Sequence, residues 1–136
     1  MIVTRPSASR FAAALAERLD HVVPSGLSVC ARGSSVAVHG PGAARPASEA
    51  AEIVSDEDGR ALADRIETAA RAILNGVQDE VMEILTEQWP AGLNGSAVYP
   101  NARVEGDQLL MWFGEEPSPV IVLPPLPVAD VMESTS

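Results

Sequence analysis

The chain of 136 residues contains no lysine, one cysteine and only five aromatic residues. Its nine basic residues are all arginine, against 19 acidic residues, and the formal net charge is −10. A field of this sign repels phosphate backbones and anionic headgroups, and the arginines form no basic stripe in the sequence. We therefore expect neither nucleic acid nor membrane as a partner.

The compartment is predicted from three further absences. Cys30 is the only cysteine, so an intrachain disulfide is excluded. No apolar run approaches the roughly 20 residues of a membrane helix, and the first ten residues lack the apolar segment of a secretory signal. Arginine without lysine, together with 21 alanines, indicates a GC-rich genome. These features predict a cytoplasmic protein, or a virion protein if the gene belongs to a phage.

The predicted core is thin and aliphatic, because alanine is abundant and large aromatic side chains are few. A domain of this kind gains only modest stability from burial of apolar surface. Burial of surface against another copy is a common supplement to such a core. The composition therefore favours a homo-oligomer.

An N-terminal helix is predicted over residues 8–22. Phe11, Leu15 and Leu19 recur at helical spacing, and Ser7 is a suitable N-cap.

A longer helix of about 30 residues is predicted from Ser55 to Trp89, where the apolar periodicity stops at Pro90. Gly76 within it marks either a close approach of another backbone or a kink. Glu67 and Arg71 are expected to form an i,i+4 pair on the solvent side of this helix.

Alternation of apolar and polar residues predicts strands over residues 27–32 and 36–38. Further strands are predicted over residues 97–104 and 109–113, and a short buried strand over residues 120–123. The first two form a β-hairpin with its turn at Gly33 and Ser34, and the last three form a meander. Residues 40–47 are expected to be a loop, and residues 50–54 a short strand or edge segment.

The predicted fold class is α+β, with an antiparallel sheet (hairpin plus C-terminal meander) packed against the N-terminal helix and the long central helix. Residues 1–128 are assigned to one domain and residues 129–136 to a C-terminal tail.

Candidate chemistry is sparse. The hairpin register would put Ser28 opposite His39 and Cys30 diagonally beside it, but two ligands are too few for zinc, so an incidental pair on the polar face is expected. Residues 56–59, which are Asp, Glu, Asp and Gly, lack the spacing of a calcium loop and better suit a helical first turn.

Three acidic residues at a spacing of four, Asp79, Glu83 and Glu87, would form one ridge near the end of the long helix. Like charges at this spacing repel, so the ridge is either a solvated face or a surface for an arginine-bearing partner. Trp89 and Trp112 are expected to be core residues or anchors of an interface.

The sequence contains no glycine-rich phosphate loop, no nucleophile elbow and no paired metal-ligand motif. We therefore expect no catalytic residues, cofactor or metal. The first hypothesis is a structural or assembly protein, such as a neck or tail component of a phage of a high-GC host. Its contact residues would be Asp79, Glu83, Glu87, Trp89 and Trp112. The alternative is a small cytoplasmic module, such as a secretion chaperone or immunity protein, that captures a basic client.

Overall fold

The computed structural model describes residues 3–54, 59–92 and 96–135. These residues form two α-helices and antiparallel sheets, which confirms the α+β prediction. The helices are α1 (Ala8–Asp20) and α2 (Leu62–Leu85). The strands are β1 (Val3–Pro6), β2 (Ser28–Arg32), β3 (Ser35–Gly40), β4 (Ala43–Glu49), β5 (Pro100–Glu105), β6 (Gln108–Phe113), β7 (Ile121–Val122), β8 (Leu126–Pro127) and β9 (Met132–Thr135).

Helix α1 begins where its capping residue predicts. The Ser7 hydroxyl accepts a hydrogen bond from the Arg10 amide at 3.3 Å, which satisfies one of the free donors of the first turn. Phe11, Leu15 and Leu19 are fully buried on one face. The helix therefore contributes a continuous apolar stripe to the core.

The β2–β3 hairpin has the predicted register, with Ser28 opposite His39. Residues 40–47 were expected to be a loop, but most of them belong to β4 (Ala43–Glu49), which adds to the open edge of β3. The Pro46 ring lacks an amide donor, and it lies beside the bulge between Val36 and Ala37, where the ladder is already irregular. Residues 51–54, predicted as a strand or edge segment, form a 3₁₀ turn instead.

Helix α2 has 24 residues and is shorter than predicted. Its last turn ends at Thr86, whose amide makes the final helical hydrogen bond to the Met82 carbonyl at 2.8 Å and whose left-handed backbone (φ 56°) turns the chain out of the helix. At the other end, the helix follows Ala61 without a side-chain cap. The predicted start, with residues 55–58, lies outside the described residues.

Gly76 marks a close approach of another backbone, and the helix continues through it. A Cβ atom at this position would clash with the Ala47 carbonyl oxygen and lie 3.0 Å from the carbonyl carbon. The absence of a side chain therefore allows α2 to lie directly on β4.

Side chains of α2 cover the outer edge of β5. The Glu67 carboxylate accepts a hydrogen bond from the Val104 amide at 2.6 Å, and the Arg71 guanidinium donates one to the Ala102 carbonyl at 3.2 Å. The prediction of a solvent-side pair was therefore wrong for these two residues. They satisfy the backbone of an edge strand, which another strand would otherwise be free to join.

This edge arrangement also explains a correction to the sheet. The hairpin and the C-terminal meander were expected to form one antiparallel sheet, but β2-β3-β4 and β5-β6-β7/β8 are separate sheets. Helix α2 contacts strands of both sheets. Their buried apolar side chains nevertheless form one cluster with those of both helices.

The C-terminal residues are not the predicted tail. Residues 128–131 form a 3₁₀ turn, and β9 pairs with β1 in an antiparallel ribbon. Val131 is buried, and its carbonyl accepts a hydrogen bond from the Ser7 amide at 2.8 Å. Burial and pairing therefore tie residues 129–135 to the start of the chain. No helix within the described ranges is long and apolar enough to cross a membrane.

Candidate protein-binding surface

Strand β6 carries apolar side chains on both sides. Leu109, Met111 and Phe113 of β6 are buried in the core, and strand alternation directs Leu110 and Trp112 to the opposite side. A strand whose two faces are both apolar is typical of a sheet covered on both sides. The side that carries Leu110 and Trp112 is instead partly open to solvent.

Neighbouring residues extend this apolar region. Val122 lies opposite Trp112 in the ladder and is 64% exposed, while Tyr99 and Val120 are 70% and 45% exposed. These are three of the four large hydrophobic residues that are exposed among the residues whose burial is described. We call this surface the outer sheet face, and it consists of Tyr99, Leu110, Trp112, Val120 and Val122.

A pocket of about 350 Å³ opens on the outer sheet face. Leu110, Trp112 and Val122 contribute to its lining. Three prolines complete its apolar walls, namely Pro117, Pro119 and Pro125. Proline rings lose no further rotamer freedom on contact, so this surface can be covered at a low cost in side-chain entropy.

Charged groups at the pocket are already paired. The Arg103 guanidinium lies 5.3 Å from the centre of the Trp112 ring and forms ion pairs with Glu116 at 2.7 Å and Glu105 at 2.9 Å. The hydrogen bonds that the Arg103 guanidinium donates to Glu116, and then to Glu105, raise the pKa of Arg103 above its ordinary value. Arg103 is thus a fixed cation that holds the Trp112 ring in place.

The Trp112 indole has an unsatisfied donor. Its Nε1 atom is buried and has no hydrogen-bond partner among the described residues. An unsatisfied buried donor costs about 1–3 kcal/mol. An acceptor on a partner surface could satisfy this donor.

The other predicted contact residues are separated from this surface. Trp89 is 9% exposed, and its ring packs edge-on against Phe113 with centroids 5.5 Å apart. It is therefore a core residue, one of the two roles expected for it.

The predicted acidic ridge is shorter than its spacing suggests. Asp79 and Glu83 are exposed on α2, but Glu87 follows the end of the helix at Leu85 and does not continue the row. Neither Asp79 nor Glu83 forms an ion pair within the part of the chain that the structure describes. The Asn75 amide is 3.5 Å from the Asp79 carboxylate.

Cys30 and His39 meet as the hairpin register predicts. The Cys30 Sγ atom lies 2.8 Å from Nε2 of His39, and both residues are partly buried. No group of three or more potential metal ligands occurs in the described ranges. The pair therefore lacks the further ligands of an intramolecular zinc site.

Sequence reasoning named Trp112 but missed the surface around it. The signal was present in residues 109–113, because apolar residues occupy consecutive positions there instead of alternating with polar ones. Val120, Val122 and the prolines join this surface because β7 pairs with β6. The composition of the sequence does not reveal that pairing. Comparison with protein-family models, with curated proteins and with solved structures finds no match to this chain.

Proposed function

We propose that this chain is a non-catalytic assembly protein, of the kind found in the neck or tail of a phage virion, whose copies associate through the outer sheet face. The observation that carries the proposal is the partly open apolar face around Trp112, with Val122 64% exposed beside it. Burial of such a face is favourable by about 25 cal/mol per Å² of apolar area.

Copies of this chain could in principle also associate along the long helix or through a sheet edge. The edge of β5 is covered by Glu67 and Arg71, and the Asp20 carboxylate accepts from the Val29 amide on β2 at 2.9 Å. Covered edges disfavour association by strand addition.

The remaining edge of the C-terminal sheet is blocked in a different way. The carbonyls of Pro124 and Pro125, between β7 and β8, accept hydrogen bonds from Arg18 at 3.1 Å. The prolines themselves have no amide donor to offer a partner. Helix α2 exposes mainly polar or small residues, including Arg71, Asn75 and Asp79. The outer sheet face is thus the surface that best supports association between copies.

The test is the mass of the purified chain by light scattering after gel filtration, at low and high salt. We expect a discrete oligomer that becomes more stable in high salt, because salt screens the repulsion between copies of charge −10 while apolar contacts persist. Val122→Glu should yield monomers, since it places a charge in the contact. Val54→Glu is the matched control, because Val54 is 50% exposed and lies outside this sheet.

A wild-type chain that is monomeric at both salt concentrations would contradict this proposal. The alternative would then be a client-binding module, with the unpaired carboxylates of Asp79 and Glu83 facing a basic partner. Salt separates the two cases, because capture of a cationic client weakens as the salt concentration rises.

A further inference from the structure

The Cys30–His39 pair has a geometry that the assembly proposal does not use. Cys30 lies on β2 and His39 on β3, and their side chains share the face of the hairpin opposite the core residues Val29 and Val38. A nucleophile and a base within hydrogen-bond distance form the arrangement that activates cysteine in enzymes and redox-sensitive proteins. The 2.8 Å separation allows direct transfer of the thiol proton to the imidazole.

We infer that Cys30 is a reactive thiol that forms mixed disulfides with low-molecular-weight disulfides, with His39 as its base. The proton of Sγ passes to Nε2, and the thiolate attacks one sulfur of the disulfide. A new bond to Sγ forms as the original sulfur–sulfur bond breaks. The second half of the reagent leaves as a thiolate, which can take the proton from the imidazolium.

The sequence makes this modification persistent and reversible. Because Cys30 is the only cysteine, no second thiol of the same chain can displace the bound group. An external thiol, or Cys30 of a second copy, is needed to remove it. Cys30 would therefore carry one reversible modification, and the modified fraction would follow the thiol–disulfide balance of its surroundings.

Charged residues lie on both faces of the sheet that carries the Cys30–His39 pair. Ladder register puts Arg32 of β2 and Glu49 of β4 on the same face as the pair. Arg45 occupies the other face of β4 and pairs with Glu80 of α2 at 3.8 Å. Arg32 and Glu49 are therefore the charged residues that share a face of the ladder with Cys30 and His39.

The test is the rate of reaction with 5,5′-dithiobis(2-nitrobenzoate), followed by release of thionitrobenzoate. An ordinary thiol is only about 0.3% ionised at pH 6. We expect the wild type to react about tenfold faster than His39→Asn at pH 6, since activation raises the thiolate fraction more than it lowers nucleophilicity. The ratio should shrink towards pH 9, where the variant's thiol ionises unaided.

Two controls separate activation from exposure. His21→Asn changes the other histidine of the chain, at the end of α1, and should leave the rate unchanged. At pH 6 the native wild-type protein should react faster than the same protein unfolded in urea. A partly buried thiol without a base would show the opposite order, because folding only restricts access to it. Equal rates for wild type and His39→Asn, or a slower native protein, would overturn the inference.

Discussion

Substitution of Gly76 by alanine tests how closely α2 packs on β4. Alanine is favoured over glycine in a helix interior by about 1 kcal/mol, so an unhindered site would gain stability. Here the new Cβ would meet the Ala47 carbonyl group and lie 3.1 Å from Cβ of Ser48. Two backbones must separate, and overpacking of this kind costs about 3 kcal/mol. The expected net loss is about 2 kcal/mol.

Urea denaturation followed by circular dichroism measures this change, and the melting temperature should fall by roughly 4 °C per kcal/mol for a chain of this size. Ala72→Gly is the matched control, because Ala72 is exposed on the same helix and should lose only the propensity difference of about 1 kcal/mol. If Gly76→Ala raised stability by as much as Ala72→Gly lowers it, the proposed backbone contact would be refuted.

Two further predictions concern single hydrogen bonds. Glu67→Ala should cost about 1–3 kcal/mol and speed hydrogen exchange at the Val104 amide, because the edge of β5 loses its acceptor. Hydrogen bonds from Ser34 and then Ser35 lower the pKa of Glu49 from its ordinary value of 4.5. These hydrogen bonds stabilise the fold fully at pH values above 4.5, and the stabilisation is lost as the pH falls through the lowered pKa of Glu49. Ser35→Ala should therefore destabilise the protein at pH 7 but not in strong acid.

Each of these two predictions has a control that can contradict it. For the β5 edge, Glu67→Gln keeps a side-chain oxygen that can accept the amide, and it should retain most of the stability. An unchanged exchange rate in Glu67→Ala would mean that the bond contributes nothing in solution. For Glu49, denaturation midpoints are compared from pH 7 to pH 2, and a gap between wild type and Ser35→Ala that persists at pH 2 would contradict the linkage.

The sequence predicted the elements whose signals are local. The hairpin register follows from a glycine-containing turn and strict alternation, which together place Ser28 opposite His39. Ser7 capping of α1 is likewise decided within a few residues. Close packing at Gly76 was one of two expected alternatives, because a glycine that lowers helix propensity calls for a tertiary reason.

The missed elements depend on partners distant in sequence. Strand β4 overlaps the stretch of Gly, Pro and Ala over residues 40–47, which is typical of a loop, and it forms a strand because the edge of β3 is free to pair with it. Strand β9 has weak propensity and forms because β1 is available to pair with it. Glu67 and Arg71 have the spacing of a surface pair, and nothing local reveals that β5 lies beside them. The outer sheet face was missed for the same reason, since it requires the return of β7 along β6.

The position of α2 has a consequence for how the chain loses its structure. The helix touches one sheet through the Gly76 contact and completes the backbone hydrogen bonding of the other through Glu67 and Arg71. Detachment of this one element would remove support from both sheets at once, although they do not share a ladder. Sheets that would otherwise open separately are thus coupled into a single cooperative unit, so partial unfolding that spares one sheet is disfavoured.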